Sequence, residues 1–159
     1  MSYGFNIAEN LHIVNAIPAT PGSAATHTGD YINMENAAHI DWIVSFGTTA
    51  ATSTIEVLQA MSASGGTATN LAFNYYAEVT DTGDTIEGPT LATASGVITD
   101  GILVPATDKI YYVVSVDAAQ MAETKKWITL TIKMAGNNAA CAVAVLSGLR
   151  YKPTVTAIT

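Results

Sequence analysis

The three histidines are the side chains of this sequence best suited to binding a metal ion. His12, His27 and His39 lie far apart, and the chain has no His-x-His pair of the kind that a metal site on a β-sandwich uses. His39 and Asp41 are separated by one residue, so in a strand both side chains point to the same face. Because no third ligand is evident, the pattern predicts a solvent-facing histidine–aspartate pair and no metal site.

A second candidate is the most acidic stretch of the chain, DTGDTIEGPT, which spans residues 81–90. Loops rich in carboxylates bind Ca²⁺ when the acidic residues recur at alternate positions and a glutamate closes the loop. Asp81, Asp84 and Glu87 are instead spaced by three residues. The sequence therefore favours a solvated acidic loop, and it leaves calcium binding there open.

Motifs for covalent catalysis and for phosphate binding are missing from the sequence. There is no Gly-x-Ser-x-Gly run, and the serines and threonines have no local motif with a histidine and an acid. Gly65-Gly66 is followed neither by a helix pattern nor by a lysine, as a phosphate-binding loop would require, so it reads as a loop. We therefore predict a non-enzymatic protein with no catalytic residues and no cofactor.

Aromatic side chains are the remaining residues with binding potential. Two adjacent tyrosine pairs, Tyr75-Tyr76 and Tyr111-Tyr112, fall in predicted strands. Neighbouring residues of a strand point to opposite faces, so one tyrosine of each pair should lie in the core and the other should be available for contacts. The available ring could serve a sugar platform or a protein interface.

The elements that must position these residues are β-strands. Residues 127–134 alternate apolar and polar side chains, which predicts a half-buried strand, and Gly136-Asn137 suits a hairpin turn. Residues 140–147 are apolar on both faces, which predicts a strand buried on both sides with Cys141 as a buried thiol. Residues 38–46 alternate as well, and they place Trp42 on an inward face.

The same reasoning predicts strands at residues 31–34, 53–61, 70–80 and 109–116, two short strands around residues 97–98 and 102–104, and a helical turn at residues 117–123. About eight strands with one short helical turn predict an all-β fold, a single β-sandwich of jelly-roll type. Alternation alone does not separate this topology from an immunoglobulin-like one.

We divide the chain into an extended N-terminal arm (residues 1–30), a jelly-roll β-sandwich domain (31–152) and a C-terminal tail (153–159). For the arm, the alternative is a strand that covers an edge of the domain's own sheet.

The composition of the chain limits the kinds of partner that it can bind. Charged residues make up only 12% of the chain, about half the ~25% of an average soluble domain, whereas hydrophobic residues make up 49%. This imbalance predicts a homo-oligomer, a dimer or trimer that covers apolar surface. A net charge of −7 with six Lys and Arg argues against nucleic-acid binding. No apolar run is long enough for a membrane helix, and no signal peptide is recognisable, so we expect assembly in a cytoplasm and no membrane partner.

Three runs carry a resemblance to a known group of proteins: AVLSGLRYK at residues 144–152, YYVVSVD at 111–117, and NIAENLHIVNAIPA at 6–19. The chain resembles, from about residue 5 to residue 152, small structural proteins of tailed-bacteriophage virions, and it is most similar to their capsid decoration, or cement, proteins. The resemblance implies a jelly roll that binds the outer capsid surface and cements neighbouring major capsid subunits. The expected partners are the major capsid protein and further copies of the chain.

Five residues are predicted to make the contacts of such a protein. Tyr3, Phe5 and Ile7 are apolar anchors in the arm, and Arg150 and Tyr151 close the last strand, where they resemble the closing motif of the group. The alternative function is a carbohydrate- or receptor-binding module of a head or tail fibre. That function would need an exposed aromatic platform with converging Asp, Asn or Gln side chains.

Overall fold

The computed structural model describes residues 7–20, 24–47, 52–80, 83–92, 101–104 and 111–149. Within these ranges the chain forms twelve strands, one short helix and one 3₁₀ turn. Their bounds are α1 Ile7–Asn10, β1 His12–Thr20, β2 Thr26–Thr28, β3 Ile32–Asn33, β4 His39–Phe46, β5 Ser53–Ala60, β6 Thr69–Asn70, β7 Phe73–Thr80, β8 Gly83–Ala92, β9 Ile102–Val104, β10 Tyr111–Asp117, the 3₁₀ turn Ala118–Gln120, β11 Trp127–Met134 and β12 Ala140–Ser147. None of the helical segments in these ranges has the length and hydrophobicity to cross a membrane.

The strands form two antiparallel sheets that pack together, so the predicted all-β sandwich is confirmed at this level. The front sheet has the strand order β1-β12-β4-β10-β7-β8. The back sheet has the order β2-β11-β5-β6, in which β3 also pairs with β11 and β9 also pairs with β5. Eight of the twelve strands have seven or more residues. The four short ones hold too few residues to produce an alternating pattern in the sequence.

Alternation along β4 places the centre of the core. Ile40, Trp42, Val44 and Phe46 are at most 1% exposed, while His39, Asp41, Ile43 and Ser45 point away from the core. The predicted inward face of this strand is therefore confirmed. Complete burial of a large apolar side chain contributes roughly 1.5–3 kcal/mol to stability.

β11 and β12, predicted to form a hairpin, lie in different sheets and do not pair with each other, and the burial of both strands also departs from the prediction. Thr129 and Thr131, predicted to face solvent, are 0% and 3% exposed. The Thr129 hydroxyl donates a hydrogen bond to the Gly29 carbonyl oxygen (2.7 Å), which offsets the cost of burying it. In β12 the prediction that both faces are buried is wrong, because Cys141, Val143 and Val145 on the outer face are only half-buried.

Much of the segment assigned to an arm pairs with the sandwich. β1 lies against β12, with Ile13 opposite Val145 and Val14 opposite Ala144, and β2 lies against β11. The side chains of Val14 and Ile17 are buried in the core. Residues 12–20 and 26–28 are thus strands, and residues 1–6 lie outside the described ranges, as does the tail.

The acidic stretch is a strand rather than the predicted loop. Residues 83–92 form β8, which pairs with β7 from Phe73 opposite Ala92 to Thr80 opposite Gly83. Asp81 lies outside the described residues. Glycine and proline suggested a loop, but β8 is the outermost strand of the front sheet, where a proline needs no hydrogen-bond partner on its solvent side. Pairing with β7 therefore outweighs the local sequence signal.

Candidate functional site on the outer face of the front sheet

The outer face of the front sheet, which is turned away from the core, carries an apolar surface. Strand register aligns Asn15, Val143, Ile43, Val113 and Tyr76 in one row across β1, β12, β4, β10 and β7. We call this line the middle row. The apolar members of this row and their apolar neighbours form what we call the apolar patch. It consists of Ile13, Ile43, Tyr76, Tyr111, Val113, Val143 and Val145.

The patch holds most of the exposed large hydrophobic side chains of the described residues. Ile13, Ile43 and Tyr111 are 49%, 44% and 48% exposed, and the other two such side chains are Ile7 and Met61. A sheet with one face on the core normally places polar residues on the other. Contiguous exposed apolar surface instead marks a site of interaction. The patch is therefore the strongest candidate for a binding surface in the described part of the chain.

The two tyrosine pairs divide between core and surface. Tyr112 is 6% exposed, whereas its neighbour Tyr111 is 48% exposed on the outer face. Tyr75 packs against the core, and Tyr76 belongs to the middle row. The predicted division of each pair is confirmed, and Tyr76 and Tyr111 occupy diagonal positions on the neighbouring strands β7 and β10.

A charged group borders the patch at one end of β4 and β10. His39 Nδ1 lies 2.7 Å from Asp117 Oδ1, and His39 Nε2 lies 3.1 Å from both Asp41 Oδ1 and Ser115 Oγ. We call these four residues the His39 cluster. The predicted pair of His39 and Asp41 forms, but sequence reasoning missed Asp117 and Ser115. Only the register that sets Asp117 opposite His39, and Ser115 opposite Asp41, brings them in, and nothing local to the sequence reveals it.

Opposing effects set the protonation of His39. Partial burial, the largest single effect, lowers its pKa, but hydrogen bonds to Asp117 and Asp41 and the charges of these carboxylates together raise it. The net result is a pKa of His39 above its ordinary value. The imidazolium form, which donates a hydrogen bond to each carboxylate, is therefore favoured more in the folded protein than it is in a free histidine.

The hydrogen bonds that join Ser115 to His39 and His39 to Asp117 follow the order of a catalytic triad, in which a serine nucleophile is followed by its base and an orienting acid. A nucleophilic serine needs a neutral imidazole whose Nε2 accepts the hydroxyl proton. Here Asp41 competes for the same Nε2, and the raised pKa of His39 favours the protonated ring. Strand β10 also pairs with β4 on one side and β7 on the other, so its backbone N–H groups are engaged in the sheet and form no oxyanion hole. The cluster is an ion-pair network rather than an activated nucleophile.

Two further features of the described residues offer little chemistry. Across those ranges, no three His, Cys, Asp or Glu side chains are arranged to hold a metal ion. A shallow depression near the end of β4 and β12 is lined by Ala19, Ser45, Gly47, Ala139, Ala140 and Cys141. Its lining offers only one hydroxyl and one thiol as polar side-chain groups.

Of the five predicted contact residues, the structure locates one. Ile7 begins α1 and is 52% exposed, and its carbonyl oxygen accepts a hydrogen bond from the Leu11 backbone N–H (2.9 Å). Tyr3, Phe5, Arg150 and Tyr151 lie outside the described residues. Their interface role stays a prediction.

The pH dependence of stability tests the His39 cluster. Because the pKa of His39 is raised on folding, its contribution is fully present below the unfolded value of about 6.5 and is lost as the pH rises through the folded-state pKa. We expect the wild type to exceed the His39→Gln variant in free energy of unfolding by about 0.5–1 kcal/mol near pH 5.5, a modest difference because solvent screens the group. Urea melts from pH 5.5 to 9 should show this difference shrinking.

The matched control removes the two carboxylates instead of the ring. In an Asp41→Asn, Asp117→Asn background the carboxylates no longer raise the pKa of His39 and only the lowering effect of burial remains. The stability advantage of the histidine over His39→Gln should therefore not shrink as the pH rises through this range. A difference between wild type and His39→Gln that grows with pH would contradict the assignment.

Comparison of the chain with protein-family models, curated proteins and solved structures finds no match in any of the three.

Proposed function

We propose that the chain is a non-enzymatic structural protein of a tailed-phage virion, which binds the outer capsid surface and cements neighbouring major capsid subunits. The observation that carries the proposal is the apolar patch on a sandwich with few charges. Such a surface gains stability when it is buried against protein, and it offers no catalytic machinery. The resemblance of the closing run AVLSGLRYK supplies the identity of the partner class.

Strand order supports a jelly-roll topology for this protein. A jelly roll consists of two interlocking Greek keys that share two sheets. The order β1-β12-β4-β10 in the front sheet fits this arrangement, and so do the pairings of β2 with β11, β11 with β5 and β5 with β9 in the back sheet. The hairpin of β7 and β8 extends the front sheet. The first and last long strands are paired, which two Greek keys also require.

The mechanism is linkage between binding and shell stability. A protein that binds only the assembled shell lowers the free energy of that state by its binding free energy, so the shell resists heat and denaturant better. None of the six front strands contains a lysine or an arginine, and the net charge is −7. A surface of this charge is repelled by DNA, which favours a location on the outside of the shell.

Purified capsids that lack the chain provide the direct test. We expect the added protein to co-sediment with them up to a fixed number of copies, to raise the temperature at which the shells open, and to decorate their outer surface in electron micrographs. Bovine serum albumin at the same concentration controls for trapping in the pellet. A chain that stays in the supernatant at tens of micromolar would contradict the proposal.

A carbohydrate- or receptor-binding role is the second candidate, and one observation favours it. Tyr111 and Tyr76 present two neighbouring rings on the outer face, with Asn74 two residues from Tyr76 along β7 on the same side. Aromatic faces beside amide groups are the usual composition of a sugar site. Binding in a glycan array that is lost in a Tyr76→Ala variant, together with no binding to capsids, would select this function.

A further inference from the structure

We propose that the apolar patch is the interface of a homodimer, in which a second copy of the chain packs face to face on the front sheet. The two-fold axis runs along the middle row, so that Ile43 of one copy meets Ile43 of the other. This inference rests on the proposed function and specifies its self-association: the apolar patch closes the dimer, and other surfaces of the dimer contact the capsid.

The positions of the charges favour a second copy of the chain as the partner, and they favour a two-fold axis along the middle row. On the outer face, Asp41 and Asp117 lie to one side of the middle row, and Ser45 and Cys141 lie to the other, where the register of β7 also places Glu78. Rotation about the middle row places Asp41 of each copy over Ser45 of its partner, and Glu78 over Asn74, so that none of these carboxylates meets another. The surface is thus complementary to itself without needing a cation.

Spacing shows that this arrangement avoids repulsion. Asp41 is two residues from Ile43, about 7 Å from the axis, so the two copies of Asp41 would be at least about 14 Å apart. That separation exceeds the Debye length of about 8 Å at physiological ionic strength. An axis along β4 would instead stack Asp41 directly on its own copy, which like-charge repulsion disfavours.

The area is sufficient for a dimer of modest affinity. Five strands at about 4.8 Å spacing and three rows about 6.8 Å apart give a patch of roughly 24 by 20 Å, about 500 Å² from each copy. The total of about 1,000 Å² is the lower bound for a specific interface. Two sheets also pack well in this way, about 10 Å apart with interleaved side chains. We therefore expect a dissociation constant in the micromolar range.

Sedimentation velocity of the isolated chain, from 1 to 200 µM, tests the proposal. The wild type should convert from monomer to dimer over this range. Ile43→Lys, and independently Ile13→Lys, should weaken dimerisation at least tenfold, because each places a charge in the apolar interface. Met61→Lys is the matched control, since Met61 is 56% exposed in the loop after β5 of the back sheet. It should dimerise like the wild type, and thermal melts should show all three variants folded.

A cross-link tests the axis. In a Cys141→Ser background, Ile43→Cys should form a disulfide-linked dimer within minutes of adding copper phenanthroline, because the two introduced thiols meet on the axis. Met61→Cys in the same background should not. Failure of the Ile43→Cys cross-link in a protein that dimerises would overturn the proposed arrangement.

The remaining outcomes separate the interface from the function. A wild type that is monomeric at 200 µM overturns the dimer, and the patch would then belong to a different protein. A dimer that Ile43→Lys leaves intact, or that Met61→Lys disrupts equally, also overturns it. Monomeric protein that binds capsids leaves the proposed function standing, whereas a dimer that ignores capsids removes the function and keeps the interface.

Discussion

Replacement of Trp42 by alanine should lower the free energy of unfolding by about 3–5 kcal/mol. Trp42 is fully buried at the centre of β4, and the strands on both sides of it, β12 and β10, place Ala144 and Val114 opposite it. Truncation leaves a cavity that these neighbours cannot fill, because they are fixed by backbone pairing. Urea melts followed by circular dichroism would measure the loss.

Two companion variants sharpen this result. Trp127→Ala should cost clearly less, because Trp127 is only half-buried at the start of β11. The buried Trp42 Nε1 finds no acceptor among the described residues, so Trp42→Phe removes an unsatisfied donor as well as volume and should cost less than Trp42→Ala. A loss below 1 kcal/mol for Trp42→Ala would refute the assignment of the core.

Substitution of Gly101 by alanine should cost more than about 3 kcal/mol, for a different reason. Gly101 has a φ of +118°, a conformation that residues with a Cβ rarely adopt. A Cβ built there would lie 1.9 Å from the Ile55 carbonyl oxygen, a clash with backbone that no side-chain rotation relieves. Because Gly101 leads into β9, whose Ile102 pairs with Ile55, the substitution should separate β9 from β5.

Gly47→Ala is the matched control for this glycine. Its added Cβ would meet Ala139 Cβ at 3.4 Å, an ordinary van der Waals contact. We expect its free energy of unfolding to stay within about 1 kcal/mol of the wild type. If Gly101→Ala were as stable as Gly47→Ala in the same urea melts, the local path of the chain at β9 would differ from the one described.

Side-chain alternation accounts for what the sequence could predict. Long strands such as β4 and β10 face the core on one side only. Their apolar side chains therefore recur at every second residue, and this period is visible in the sequence. That period alone predicts that Trp42 lies in the core and that Tyr111 and Tyr112 point to opposite faces of the sheet. The closure of these strands into two sheets required the structure, since pairing partners are set by contacts far apart in the chain.

The mispredicted segments share one cause. Residues 83–92 contain glycine and proline, and their strand is stabilised by pairing with β7 rather than by local preference. Thr129 can be buried because its hydroxyl donates a hydrogen bond to the Gly29 carbonyl oxygen, one hundred residues away in the chain. The candidate site could be predicted only in part for the same reason. His39 and Asp41 are close in sequence, but Asp117 is not. The middle row runs across five strands, and only their register aligns its residues.

Pairing of β1 with β12 has a consequence for how the chain folds. β12 lies between β1 and β4, so the last strand of the described residues completes the middle of the front sheet rather than its edge. A nascent chain therefore holds β1 without its partner until residue 147 has left the ribosome. Pairing over such sequence distances makes folding slow, on the order of milliseconds to seconds. Throughout synthesis the apolar strands of the front sheet remain open to incorrect pairing, so chaperone binding would protect the chain most in the interval before β12 emerges.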